Sequence, residues 1–230
     1  IGDFLLYQEI PELDEHVTKM DHVEIPEYES IDITKINSES NAINVLVLSG
    51  ILDDFLESED TVETFSGRMG TGVFDFKVNT VRNIYRTIHV DNAQCEIDGG
   101  FENKDSVIVM EAKNVVHEDF HVRQLYYPYR LWQTKVNKPI RLIFSVYSNM
   151  LYRLFEYRFK DLEDYSSIEL VRVKNYSLQD TTINLEDLCE VRRATVVTTD
   201  DNQKNTDIPF IQANSMDRII SLLENMYDNP

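Results

Sequence analysis

The sequence predicts a mixed α/β fold in which a central sheet carries helices on both of its faces. Three observations lead to this prediction. Apolar residues recur at helical spacing between Ser38 and Glu57. Several runs within residues 88–173 are rich in β-branched and aromatic side chains, as is typical of strands. A second helical stripe follows at Ser215–Met226, and a chain of 230 residues is long enough to bury a sizeable core.

The first predicted helix, 38–57, begins at Ser38 or Ser40, since either serine is a suitable N-cap. Its apolar face is formed by Ile43, Leu46, Val47, Ile51, Leu52 and Phe55. The glycine-rich stretch 66–72 comes next. It lacks the lysine of a phosphate loop and leads into residues that alternate as in a strand, so it is predicted to be a hairpin turn.

The middle of the chain predicts two strands, 88–101 and 106–113, joined by a turn at 102–105. A helical pattern then runs from His117 to about Tyr127, where Pro128 disrupts it. Further strands are predicted at 140–147, 151–159 and 168–173.

The charge is distributed unevenly along the chain. The formal net charge is -19, and residues 1–64 contain only two bases, Lys19 and Lys35, against seventeen acids. Residues 1–37 are therefore predicted to be an acidic extension or small subdomain, and residues 38–230 the main domain. Residues 121–160 reverse the balance, with eight bases and only Glu156 as an acid, which indicates a surface that faces a polyanion.

The composition excludes several classes of protein. No run of 18 apolar residues occurs, so no membrane-spanning helix is expected, and a cytoplasmic location is predicted. The two cysteines, Cys95 and Cys189, lie far apart, which excludes a disulfide-dense scaffold and a zinc site built on paired thiolates. We expect both thiols to be reduced.

Three residues in the stretch 95–114 form the strongest candidate for a reactive site. Glu111 and Lys113 lie two apart on a predicted strand, so their side chains point to the same face. Asp98 lies near the end of the preceding strand, and paired strands are only about 4.8 Å apart. Two converging carboxylates favour a hard cation such as Mg²⁺, and a neighbouring ammonium can polarise a water for attack on phosphorus.

The pattern of an acid, any residue and a lysine also occurs at Asp75–Lys77 and Glu102–Lys104. The second of these copies falls in a predicted turn, and the first has no acidic strand before it. Only Glu111 and Lys113 have a carboxylate-bearing strand before them and a helix after them.

With the next feature, Gln124 followed by Tyr127 or Tyr129, the chain resembles the PD-(D/E)xK nuclease superfamily, and specifically type II restriction-endonuclease-like proteins. The resemblance covers residues 40–175, with a further similar stretch at 209–220. It implies a restriction-endonuclease-like core with a mixed central sheet flanked by helices. One departure is Ile97, which stands where many members have proline, and it leaves Glu96 as a rival metal ligand.

The resemblance assigns roles to individual residues. Asp98 and Glu111 would bind Mg²⁺ together with the Ala112 carbonyl, and Lys113 would position the attacking water. Gln124 would orient Lys113 or a phosphate. A further acid from the helix before the sheet is expected, with Glu57 and Glu63 both open as candidates. The DNA backbone would be contacted by three basic residues, Arg123, Arg130 and Lys135.

The expected function is Mg²⁺-dependent hydrolysis of double-stranded DNA, as in a type II restriction enzyme with a cognate methyltransferase in the same system. A homodimer is expected because cutting both strands needs two active sites. Nucleases of DNA repair or of mobile elements share the same pattern. Two alternatives come from other classes: a zinc metalloprotease, because residues 117–121 match the HExxH motif, and a non-catalytic DNA-binding module.

Overall fold

The computed structural model describes residues 3–11, 17–19, 28–31, 35–148 and 150–178, with the backbone alone at 17–19. The predicted helix at 215–226, the family-like stretch at 209–220 and Cys189 lie outside these residues. No helix in the described ranges has the length and apolar character needed to cross a membrane.

Three helices are described: α1 (Glu39–Leu48), α2 (Ile51–Leu56) and α3 (Arg123–Gln133). The predicted cap at Ser38 is confirmed, because its Oγ accepts a hydrogen bond from the Asn41 amide at 3.1 Å. The prediction of one helix over 38–57 is wrong at Gly50. This glycine has a φ of +73°, a left-handed conformation that separates α1 from α2.

The strands are β1 (Tyr7–Glu9), β2 (Val17–Lys19), β3 (Val62–Gly70), β4 (Val73–Val78), β5 (Arg86–Asp91), β6 (Gln94–Glu102), β7 (Val107–Lys113), β8 (Asp119–His121), β9 (Ile140–Ser148), β10 (Leu151–Phe159) and β11 (Ile168–Ser177). The central sheet has the order β2-β11-β10-β9-β7-β6-β3. It is mixed, because β7 runs parallel to β9 while β6, β10 and β3 pair antiparallel with their neighbours. The predicted mixed sheet in an α/β fold is therefore confirmed.

Helices cover both faces of this sheet. On one face α1 and α2 pack over a core that includes Phe101, Ile108 and Tyr152. On the other face α3 packs over a core that includes Val109, Phe144 and Phe155. Strand β7 is buried on both faces, and five of its seven residues are apolar. The two exceptions are the charged residues Glu111 and Lys113 at its C-terminal end.

The prediction of a hairpin turn at 66–72 is wrong. Strand β3 continues to Gly70 and pairs with β6, whereas β4 pairs with β5. The Thr71 amide donates to Ala93 O and the Asn92 amide to Gly72 O. These two hydrogen bonds connect the β3–β6 pair to the β4–β5 pair. Strands β3 and β4 thus run beside β5 and β6 as one long ribbon, whose turn lies at 79–85.

The helix predicted from His117 to Tyr127 begins later than expected and is not stopped by proline. Residues 119–121 form β8, which pairs with β1, and α3 begins at Arg123. Pro128 lies inside α3 and is buried against the core, so tertiary packing outweighs its cost to the helix.

The described part of residues 1–37 contacts the same body as the rest of the fold. Phe4, Leu6 and Ile10 pack on the core beneath α3, and the β2 backbone pairs with β11 at one edge of the central sheet. The division of the chain at residue 37 stays a prediction. Cys95 is a buried free thiol.

Candidate active site

The candidate site lies at the C-terminal end of β7. Glu111 and Lys113 project to the same face there, and the Lys113 Nζ lies 2.7 Å from the Glu111 Oε1. Glu111 is only 4% exposed. The ion pair therefore lies largely out of solvent, where charge–charge interactions are stronger than at a surface.

Asp98 reaches this pair through an irregularity in β6. Between the pairs Phe65↔Gly100 and Gly67↔Ile97, β6 advances one residue more than β3 does. A Cβ atom at Gly100 would collide with the Phe65 ring and carbonyl oxygen, so glycine permits this close approach. Bulges of this kind re-aim side chains and are common beside active sites.

The irregularity turns the Asp98 carboxylate toward β7. The regular ladder between the two strands ends at Gly99↔Met110, and beyond it the Asp98 Oδ2 accepts a hydrogen bond from the Ala112 amide at 2.9 Å. The carboxylate takes the place of a backbone acceptor, which fixes its position beside the Glu111–Lys113 pair.

Gln124 lies in the first turn of α3, and its Nε2 donates a hydrogen bond to the Glu111 Oε1. The hydrogen-bond partner of Gln124 is thus Glu111, and its expected role of orienting Lys113 or a phosphate stays a prediction. Both Lys113 and Gln124 contact the same oxygen, Oε1, and neither engages Oε2.

A third carboxylate, which the sequence analysis missed, comes from Glu39 at the start of α1. Its Oε1 lies 3.5 Å from the Lys113 Nζ. The two candidates proposed for this role lie elsewhere: Glu57 forms an ion pair with Arg172, and Glu63 is exposed on β3. The Ser38 cap could have indicated Glu39, because it makes Glu39 the first residue of α1. That end of α1 lies near Lys113.

Glu96 does not join the cluster. It is exposed and lies 3.5 Å from the Arg68 Nε on the neighbouring strand β3. In a regular strand Glu96 and Asp98 would share a face. The bulge between Ile97 and Gly100 instead turns Asp98 toward β7, while Glu96 pairs with Arg68.

Burial dominates the electrostatics of the site. It raises the pKa of Glu111 to about 8, an effect that Lys113 opposes and that the Asp98 and Glu39 carboxylates increase. Burial lowers the pKa of Lys113, but the Glu111, Glu39 and Asp98 carboxylates together raise it above its ordinary value. Lys113 is therefore an ammonium at neutral pH, and it stabilises negative charge rather than accepting a proton.

The donor set fits a magnesium ion. Asp98 and Glu111 supply hard oxygen atoms, and Mg²⁺ in proteins is often held by one or two carboxylates with water completing the octahedron. The buried Glu111 carboxylate ionises reluctantly, so a cation beside it would relieve that cost. Among the described residues no three His, Cys, Asp or Glu side chains are grouped closely enough to enclose a metal by themselves.

The three residues predicted to contact DNA differ in their surroundings. Arg130 donates to the backbone oxygens of Asp75 and Leu162, each at 3.0 Å, and lies over the Phe74 ring. It therefore holds β4 against α3. Arg123 and Lys135 are exposed, and they lie over the rings of Tyr127 and Trp132 respectively.

The other five bases within 121–160 are also engaged with protein groups. Arg141 forms a two-pronged ion pair with Glu156, and Lys138 lies 2.5 Å from Glu102. Arg153 is buried and donates to Pro11 O, while Arg158 and Lys160 both pair with Glu169. Most bases of this stretch are therefore engaged with other protein groups, and its role as a polyanion-facing surface stays a prediction.

The HExxH segment does not form a zinc-protease helix. His121 ends β8 and His117 is exposed before it, so the two histidines are not one helical turn apart. The His121 Nδ1 accepts a hydrogen bond from the Arg123 amide and lies 3.2 Å from the Tyr165 hydroxyl. This histidine anchors the start of α3.

His121 should make the protein sensitive to acid. Burial, aided by Arg123, lowers the pKa of His121 to about 4 from an ordinary 6.5. The unfolded chain then binds more protons than the native state between these values, so stability is lost as the pH falls through this window. We expect wild type to lose about 2 kcal/mol relative to His121→Asn between pH 7 and 4.5 in urea unfolding. Exposed His117→Asn is the control, and identical pH profiles for wild type and His121→Asn would contradict this role.

Comparison with protein families places the chain in one family. Residues 2–177 match a family described as a domain of unknown function, DUF6997, so the chain belongs to that family. The search of curated proteins and the search of solved structures each found no match.

Proposed function

We propose that this protein is a Mg²⁺-dependent nuclease that hydrolyses phosphodiester bonds of double-stranded DNA. One observation carries the proposal: Asp98, Glu111, Lys113 and Gln124 gather at one sheet edge. Two hard carboxylates beside a buried ammonium suit a divalent cation and the negative charge that develops on a phosphate under attack.

The architecture supports a restriction-endonuclease-like core as part of this proposal. The two acid-bearing strands β6 and β7 are adjacent and antiparallel, and α3 connects β7 to its parallel neighbour β9. Helices α1 and α3 approach the site from opposite faces of the sheet, bringing Glu39 and Gln124 respectively.

The side chains then have separable roles. Asp98 and Glu111 would hold the ion, which supplies positive charge to polarise the phosphate and its attacking water. Gln124 fixes the Glu111 carboxylate, and the Ala112 amide fixes Asp98. Lys113 would hold the water in line for attack and offset charge in the transition state. Glu39 positions Lys113 from the side of α1.

Within this class we propose a type II restriction enzyme, acting as a homodimer and encoded with a cognate DNA methyltransferase. A nuclease of DNA repair or of a mobile element would use the same cluster. A neighbouring methyltransferase gene favours restriction, and its absence favours the other two roles.

The direct test is incubation of supercoiled plasmid with the purified protein in Mg²⁺, in Ca²⁺ or in a chelator. We expect nicked and linear DNA in Mg²⁺ and none in the chelator. Casein in Zn²⁺ serves as the protease control and should remain intact. Tight DNA binding with no cleavage in Mg²⁺ or Mn²⁺ would instead favour a non-catalytic DNA-binding module.

A further inference from the structure

The tip of the β4–β5 ribbon is an exposed basic surface in an acidic protein. Residues 76–90 contain Lys77, Arg82 and Arg86 and no acid, whereas the whole chain has 41 acids and 22 bases. All three bases are exposed. Within the described ranges no carboxylate lies within 4.0 Å of any of them, in contrast to the engaged bases of 121–160.

The same tip exposes large apolar side chains. Val81 is 62% exposed, Ile84 47% and Tyr85 49%. An exposed cluster of large apolar side chains next to arginines indicates a binding surface, because the isolated fold leaves these side chains unburied.

The tip is nevertheless held in a defined shape. The Thr80 Oγ1 donates to Ile84 O at 3.0 Å and accepts from the Ile84 amide at 3.1 Å. The Asn79 amide donates to the Ser166 Oγ, and the Val81 amide to Asp3 O, which ties the turn to the body of the fold. A preformed surface of this kind binds with a smaller entropic cost than a loose loop.

We propose that this tip, residues 79–86, is the element with which the protein grips duplex DNA, entering a groove while its arginines meet the phosphates. The inference rests on the proposed nuclease function and adds to it the surface that holds the substrate. A two-stranded ribbon fits the major groove of B-form DNA. With a net charge of -19, the chain as a whole repels DNA, so a local basic surface is needed for binding.

The ribbon also connects this surface to the candidate site. Strand β5 continues into β6, which carries Asp98 at its bulge. Arg86 and Asp98 are twelve positions apart along this path, which corresponds to at most about 40 Å of extended chain. A duplex of about twelve base pairs, at about 3.4 Å each, covers this length, so one DNA molecule can contact both the tip and the site.

The test measures binding of a fluorescent 30-base-pair duplex by anisotropy, in Ca²⁺ without Mg²⁺, over a range of salt concentrations. We expect Arg82→Ala/Arg86→Ala to weaken binding about 10- to 30-fold at 0.15 M salt, and to reduce the slope of log K against log salt by about 1.8. Tyr85→Ala should weaken binding without changing the slope, because it removes no charge. Thermal unfolding verifies that each variant is folded.

The matched control is Lys104→Ala/Lys174→Ala, which removes the same amount of charge away from the tip. Lys104 lies in the turn that follows β6, and Lys174 pairs with Asp54. We expect its affinity and salt slope to equal those of wild type. Equal losses in both double variants would overturn the inference, as would no loss in either. Binding of polyglutamate as tightly as duplex, or tip-dependent self-association, would assign the surface to an acidic protein instead.

These outcomes separate the inference from the proposed function. Tip-dependent binding without cleavage in Mg²⁺ would leave the inference standing and remove the nuclease proposal. If the tip variants cleaved and bound DNA like wild type, the nuclease proposal would stand and the inference about the tip would be removed.

Discussion

Replacing Lys113 by alanine is expected to lower the rate of DNA cleavage by at least about 10²–10³-fold, the range seen when one group that stabilises transition-state charge is removed. The ammonium lies 2.7 Å from Glu111 and its side chain is only 14% exposed, so solvent cannot readily replace it. DNA affinity should change little, because the group acts mainly on the transition state. Single-turnover cleavage and duplex binding measured on the same preparation separate these two effects.

The chain offers a matched control for this variant. Lys104 belongs to a second acid-x-lysine copy, Glu102–Lys104, which lies at the turn between β6 and β7. Lys104→Ala should cleave DNA like wild type. Equal rates for Lys113→Ala and wild type would contradict the catalytic assignment, and equal losses in both lysine variants would indicate a general effect of charge.

Substituting Glu111→Gln should abolish metal-dependent cleavage by a comparable or larger factor. Glutamine keeps the size of the side chain but removes the anionic oxygens that a hard cation requires. The fold should survive, because burial already raises the pKa of Glu111 to about 8 and the native core therefore tolerates a neutral group there. Cleavage as a function of Mg²⁺ concentration, with circular dichroism for the fold, measures both outcomes.

Glu102→Gln is the corresponding control, since it removes an acid from the second copy, where the carboxylate pairs with Lys138. It should retain wild-type cleavage. If raising the Mg²⁺ concentration restored full activity to Glu111→Gln, the carboxylate would be dispensable for chemistry and the assignment of Glu111 would fail.

The fold was predictable where local pattern and tertiary packing agree. The apolar run of β7 reads as a strand buried on both faces, and it is one. The helix predicted at 38–57 is divided and the helix predicted at 117–127 begins later, each for a reason outside the helical pattern. Gly50 takes a left-handed conformation, while residues 119–121 pair with β1, a contact distant in sequence. The periodicity of apolar residues in a short segment predicts neither the conformation of Gly50 nor the pairing of residues 119–121 with β1.

The candidate site was predictable to the extent that strand geometry determines it. Two-residue spacing places Glu111 and Lys113 on one face, and strand adjacency brings Asp98 to them. Glu39 was missed because its approach depends on how α1 crosses the sheet. The contacts of Arg130 with two backbone carbonyls were not predicted, because a charged residue in a basic stretch gives no indication of them, and its contact with DNA stays a prediction. The ribbon tip was overlooked for the related reason that exposure is a property of the fold.

The most direct test of the proposed metal site is anomalous X-ray diffraction from a crystal equilibrated with Mn²⁺, which replaces Mg²⁺ and scatters X-rays anomalously. We predict one peak at the end of β7, coordinated by carboxylate oxygens of Asp98 and Glu111, with the Lys113 ammonium adjacent to it. A crystal in which Mn²⁺ binds elsewhere, or in which saturating Mn²⁺ leaves those two carboxylates without a peak between them, would contradict the proposed metal-dependent chemistry.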